Sequence, residues 1–212
     1  EVGRLSGGIS GLGTRLDKAE TAAQARVDEA QNQAAQVQQA AVAERDLSAA
    51  QADVAAIRAA LAEAEPFAAP LASLAANGVD APAGLGAAAE AGVPTATALQ
   101  TGFPDAAHAA IRASILASAG EGLVARSRAF VEAQVAGRSL APRDGQTPDA
   151  VLSRMEASLR SDDLAAALGL SAQLPSEAAA APAMAEWLAG AKRRADAEAG
   201  LAELSADVSN AN

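Results

Sequence analysis

Apolar residues recur at helical spacing along most of the chain, and no stretch alternates apolar and polar residues for long enough to predict a strand. The first stripe contains Leu5, Ile9, Leu12 and Leu16 at 4-3-4 spacing, which places their side chains on one face of a helix. Alanine, the best helix former, is by far the commonest residue, and aromatic residues make up only 2% of the chain. The pattern predicts an all-α fold.

Residues 15–65 contain neither Gly nor Pro and continue the apolar stripe at 3-4 spacing, which is typical of a coiled coil. Two stripes do not join cleanly near residues 44–47, which predicts a discontinuity there. We therefore predict an N-terminal coiled-coil helix over residues 1–65 that assembles the chain into a dimer or tetramer. A single solvated helix, or one packed on its own domain, stays open as the alternative. The predicted oligomer seam consists of Val27, Val37, Leu47, Val54, Ile57 and Leu61.

Residues 66–104 carry five prolines and five glycines at short intervals. Leucine and valine still recur between them, which indicates several short helices joined by tight turns instead of a disordered linker. Whether this segment packs with the C-terminal helices is left open by the sequence.

The pattern of residues 105–146 predicts amphipathic helices with a local excess of positive charge. Between residues 111 and 143 there are five Arg and two acidic residues, in a chain whose net charge is −10. Arginine beside apolar side chains is what a helix needs to lie on an anionic membrane surface. The alternative is that the apolar face packs on the protein's own core while the arginines pair with neighbouring acids. The predicted lipid-binding residues are Ile111, Arg112, Ile115, Leu116, Leu123, Val124, Arg126, Arg128, Phe130 and Val131.

Residues 147–212 predict a C-terminal helical bundle. Thr147 followed by Pro148 and Asp149 is a helix-start signal, since Thr caps, Pro fits the first turn and an acid suits the helix dipole. A helical hairpin follows, and a long final helix begins near Pro182. We assign Trp187 on this last helix as a packing anchor.

Several classes of function are disfavoured by composition. A pI near 4.6 argues against nucleic-acid binding, because phosphate neutralisation supplies most of that affinity. The absence of Cys excludes disulfides and thiolate metal sites, and no run of about 20 apolar residues could span a bilayer. His108 is the only histidine and has no nucleophile or ligand at a suitable spacing. We predict no enzyme activity, no cofactor and no metal site. The first residue, Glu1, suggests a start cut from a longer protein, with a membrane anchor upstream.

Four short motifs follow one another in a fixed order along the chain. Their residues are Glu65, Pro66, Phe67, Leu71 and Leu74; Gly92, Val93, Pro94, Thr95, Leu99 and Phe103; Leu159, Asp163, Leu164 and Ala165; and Trp187, Leu188, Ala191, Arg193 and Arg194. In this order and spacing the motifs resemble the C-terminal half of mitofilin-family proteins, over roughly residues 50–204. The family's usual Gly-Asp-Leu turn has Asp162 in place of the Gly here.

The resemblance implies a scaffold of the bacterial inner membrane whose soluble part faces the periplasm. Mitofilins carry a transmembrane anchor, a coiled coil, a lipid-binding segment and a C-terminal mitofilin domain, and they self-assemble and bend membranes. The resemblance also implies a protein partner in the periplasm or outer membrane. The runner-up interpretation is a periplasmic coiled-coil adaptor that binds such a partner through its C-terminal helices without touching lipid.

Overall fold

A computed structural model describes residues 2–118 and 145–210 of the chain. All the regular structure in these residues is helical, which confirms the predicted all-α fold. The described residues form the helices α1 (Val2–Glu63), α2 (Ala68–Ala76), α3 (Ala83–Gly86), α4 (Ala96–Ser118), α5 (Pro148–Arg160), α6 (Leu164–Ser171), α7 (Ser176–Ala179) and α8 (Pro182–Asn210). The chain divides into two compact units, residues 1–49 and residues 50–212.

Helix α1 is continuous through residues 44–47, where the sequence predicted a discontinuity. It ends where Ala64 adopts a left-handed conformation with φ of 59° and the Glu65 amide donates to the carbonyl oxygen of Ala60 at 2.9 Å. This bond satisfies one of the carbonyl groups left open at the end of a helix. Pro66, which cannot donate an amide hydrogen bond, follows at once.

The compact C-terminal unit begins inside the predicted coiled coil. Ala50, Val54, Ile57 and Leu61 recur at 3-4 spacing and are all buried, with Ile57 fully so. The last turns of α1 therefore belong to the same unit as residues 66–210, which places the boundary near residue 50 instead of residue 65.

Helices α2 and α3 are the short elements predicted for residues 66–104. The Phe67 amide donates to the carbonyl oxygen of Ala89 at 2.8 Å, which ties the start of α2 to the turn after α3. Helix α3 lies so close to α8 that a Cβ atom on Gly84 would collide with the carbonyl oxygen of Asp196. Residues 66–104 thus pack with the C-terminal helices, which the sequence had left open.

Helix α4 crosses the boundary that the sequence placed at residue 104. Thr95 precedes it, and the Thr95 hydroxyl accepts a hydrogen bond of 3.0 Å from the Ala98 amide. Pro104 lies within the helix, although a proline removes one helical hydrogen bond. The burial of Leu99 and Phe103 before it, and of Ala107 and Ile111 after it, holds one continuous helix together.

Helices α5 and α6 form the predicted hairpin, and each begins with a side-chain cap. The Thr147 hydroxyl accepts from the Ala150 amide at 3.3 Å, and the Asp163 carboxylate accepts from the Ala166 amide at 2.8 Å. Asp162, in the turn between them, has a φ of 56°. That conformation favours Gly, and the Gln100 amide supports the Asp by donating to its Oδ1 at 2.8 Å.

The main hydrophobic core lies between α4 and the helices that follow it. It is built from buried side chains that include Leu152, Met155, Met184 and Trp187. The Trp187 ring meets Phe103 edge-on, with ring centroids 4.9 Å apart and an interplanar angle of 67°. This edge-to-face arrangement is favoured by aromatic quadrupoles, and Trp187, the predicted packing anchor, is 7% exposed.

Candidate functional site

The N-terminal part of α1 presents apolar side chains that remain exposed in the part of the chain that the structure describes. From residue 10 to residue 45 every side chain of this helix is exposed. These exposed side chains extend over about ten turns of α1, although most helical stability in proteins comes from the packing of an apolar face. The exposed large apolar side chains of α1 include Val2, Leu12, Leu16, Val27, Val37 and Val42.

The predicted oligomer seam divides into two groups. Val27 and Val37 are 48% and 70% exposed and remain available to a partner. Val54, Ile57 and Leu61 are buried inside the chain's own C-terminal unit, so their assignment to an oligomer seam was wrong. Their 3-4 spacing is common to any helix that buries one face, whether the cover is another chain or its own fold. Leu47, between the groups, is half-buried.

The predicted lipid-binding residues also form two groups, of which the first lies on α4 and the second follows the end of α4 in the sequence. Ile111 is 9% exposed and belongs to the main core, and Ile115 packs against that core, so the lipid-facing assignment of Ile111 was wrong. The reason is that α4 uses this face to cover α5 and α7. Arg112 is exposed and Leu116 is 47% exposed. These two residues lie one turn apart and are neighbours on the helix surface.

Six further predicted lipid-binding residues lie outside the described residues. They are Leu123, Val124, Arg126, Arg128, Phe130 and Val131. Arg112 and Leu116 are therefore the described part of the predicted lipid-binding face.

A groove of about 590 Å³ adjoins the end of α4. Ile111, Ile115, Pro148 and Pro175 give it an apolar lining, and Glu177 adds a carboxylate. It lies between the last turns of α4 and the first turn of α5.

Arg194 on α8 was not singled out as a functional residue by the sequence, yet it joins three segments. Its Nη1 donates to the carbonyl oxygens of Leu61 at 3.1 Å and of Pro94 at 3.0 Å, while its Nη2 lies 2.8 Å from Oε1 of Glu198. Arg193 next to it is exposed. The Arg-Arg pair was visible in the sequence, but only the helix packing selects which of the two turns inward.

Chemical candidates are sparse within residues 2–118 and 145–210. His108 is half-buried on α4. No three His, Cys, Asp or Glu side chains of these residues cluster so as to hold a metal ion. None of the described helices is both long and apolar enough to cross a bilayer.

Comparisons with models of protein families, with characterised proteins and with solved structures find no significant match to this chain. The likeness to mitofilins therefore rests on the order and spacing of the short motifs quoted above.

Proposed function

We propose that this chain is a non-enzymatic membrane-shaping scaffold that self-assembles through α1 and contacts an anionic membrane through the basic segment of residues 105–146. By the mitofilin resemblance, it works at a bacterial inner membrane, facing the periplasm. The observation that carries the proposal is the exposed apolar surface of α1, which includes Leu12, Leu16 and Val37. A surface of this kind suits a protein that associates with further copies of itself.

The assembly part is tested by the mass of the chain in solution, measured by light scattering over a range of concentrations. We expect a dimer or tetramer. Val37→Asp places a charge in the apolar seam and should shift the mass towards the monomer. Gln38→Asp adds the same charge at the neighbouring exposed position and should leave the mass unchanged. A monomeric wild-type chain at high concentration contradicts self-assembly.

The membrane part is supported by Arg112 and Leu116, a cationic and an apolar side chain exposed on adjacent turns. Such a pair allows the guanidinium group to meet lipid phosphate while the apolar side chain enters the acyl boundary. The chain continues from α4 into the Arg-rich residues 119–143, so further cationic groups follow in the sequence.

Co-sedimentation with vesicles that contain different fractions of anionic lipid tests this contact. We expect binding that increases with anionic lipid, falls with salt, and weakens in Arg112→Glu and in Arg126→Glu/Arg128→Glu. Arg58→Glu, at an exposed position of α1, makes the same charge change and serves as the control. Binding that ignores both the lipid charge and these substitutions contradicts the lipid contact.

The second candidate function is a periplasmic coiled-coil adaptor that binds a partner protein without lipid. The burial of Ile111 and the packing of Ile115 favour it, because they reduce the apolar surface that α4 offers to a membrane. The adaptor predicts no vesicle binding and a stable complex with a partner protein. Vesicle binding by the isolated chain distinguishes the two functions.

A further inference from the structure

The main core is built by helices other than α1. Its buried side chains come from α4 to α8 and the turns between them, and no residue of α1 belongs to it among the described residues. The last turns of α1, residues 50–63, nevertheless bury Val54, Ile57 and Leu61 in the same compact unit. This segment is therefore an addition to a core that is assembled by other helices.

Arg194 is the polar contact that holds the segment in place. Its guanidinium group donates to the Leu61 carbonyl oxygen near the end of α1 and also to the Pro94 carbonyl oxygen in front of α4. The side chain is only 12% exposed, and Glu198 offsets its charge. A hydrogen bond from a charged donor in such a setting is stronger than one between neutral groups.

Two other features, one in this segment and one directly after it, destabilise the attached state. One carboxylate oxygen of Asp53, Oδ2, is buried and has no hydrogen-bond partner among residues 2–118 and 145–210, which penalises the attached state. Ala64, directly after α1, is a non-glycine residue with a φ of 59°, a conformation that costs energy for any residue with a Cβ atom. Release of the segment would hydrate Asp53 and allow Ala64 to relax.

We propose that residues 50–63 form a releasable joint, which opens from the C-terminal unit as one segment while the core of α4 to α8 stays folded. Arg194 stabilises the attached state of the joint, whereas Asp53 and Ala64 destabilise it. The joint therefore opens at a lower free energy than the core unfolds. The joint rests on contacts within one unit and does not depend on lipid binding or self-assembly.

Native-state hydrogen exchange on the full chain tests the joint, with Trp187, the single tryptophan, as a fluorescence reporter of the core. Amides of residues 54–63 should exchange faster than buried amides of α4 by at least about tenfold, as expected of local opening. Arg194→Ala should speed exchange in this segment by a further factor of about ten while the emission of Trp187 stays native. Arg193→Ala, at the exposed neighbouring position, is the matched control and should have no such effect.

Asp53→Ala is a second variant, for which the expected change in the exchange rate has the opposite sign. Removal of this carboxylate, whose Oδ2 is buried, should slow exchange of residues 54–63 by about tenfold. Gln51→Ala, at an exposed position of the same helix, controls for the higher helix propensity of alanine. The joint is refuted if residues 54–63 exchange only with the global unfolding of α4, if Arg194→Ala matches Arg193→Ala, or if Arg194→Ala unfolds the environment of Trp187. An Asp53→Ala variant that exchanges like Gln51→Ala removes the opposing role of Asp53 and also counts against the proposal.

Discussion

The indole Nε1 of Trp187 donates a hydrogen bond of 2.8 Å to the carbonyl oxygen of Leu99, which lies 88 residues earlier in the chain. The bond joins α8 to the first turns of α4, and the same indole ring packs against Phe103. One side chain therefore supplies both apolar contact and a polar link between the two longest helices of the core.

Trp187→Ala should lower the free energy of unfolding by about 3–5 kcal/mol, the usual cost of removing a large aromatic side chain from a core. Trp187→Phe should cost less, since it keeps much of the ring contact and loses mainly the bond to Leu99. Urea unfolding followed by circular dichroism measures both changes. Glu186→Ala, at an exposed neighbouring position, is the control, and equal midpoints for Trp187→Ala and Glu186→Ala would contradict the anchor role.

Gly92→Ala should destabilise the chain by about 2 kcal/mol or more, because a Cβ atom there meets two penalties. Gly92 has a φ of 69°, and its Cβ would lie 2.8 Å from the carbonyl oxygen of Ala64. Gly86→Ala is the matched control, since nothing lies within 4 Å of its Cβ position. Thermal unfolding should show a clear loss for Gly92→Ala and little change for Gly86→Ala. Similar melting temperatures for the two variants would show that the close approach at Ala64 is not restrictive.

Ala64→Gly should stabilise the chain by about 1 kcal/mol, because glycine adopts the left-handed conformation without a steric penalty. Asp162→Gly relieves a similar conformation but also removes the acceptor of the Gln100 bond. We therefore expect a smaller gain at position 162 than at position 64. Melting temperatures of the two single variants measure the difference. A larger gain at position 162 would show that the Gln100–Asp162 bond does not stabilise the fold.

The caps of α5 and α6 should each contribute about 1 kcal/mol to stability. Thr147→Ala and Asp163→Ala remove the side-chain acceptors for the amides of Ala150 and Ala166. Thr147→Ser and Asp163→Asn retain an acceptor and should recover most of the loss. Chemical denaturation of the four variants gives the comparison, and equal stabilities for alanine and the conservative replacement at one position would exclude a cap there.

Much of the helical layout could be predicted from the sequence because its causes are local. Pro66 ends α1, Thr147 with Pro148 begins α5, and Asp163 begins α6, each through backbone geometry or a hydrogen bond within a few residues. Pro104 misled the prediction because the burial of Leu99 and Phe103 outweighs the missing backbone bond. Local preference is a weak guide wherever tertiary packing opposes it.

The sequence by itself determined that the chain is all-α, since alanine content and 3-4 apolar spacing act within one helix. Only the tertiary structure decided which apolar stripes are buried against other helices of the chain. Val37 and Ile57 follow the same spacing, yet Val37 is exposed and Ile57 is buried. Ile111 and Leu116 are both on α4, yet Ile111 is buried and Leu116 is exposed. Burial depends on which distant helix lies opposite, and Arg194 reaching Leu61 across 133 residues is a contact that no local pattern encodes.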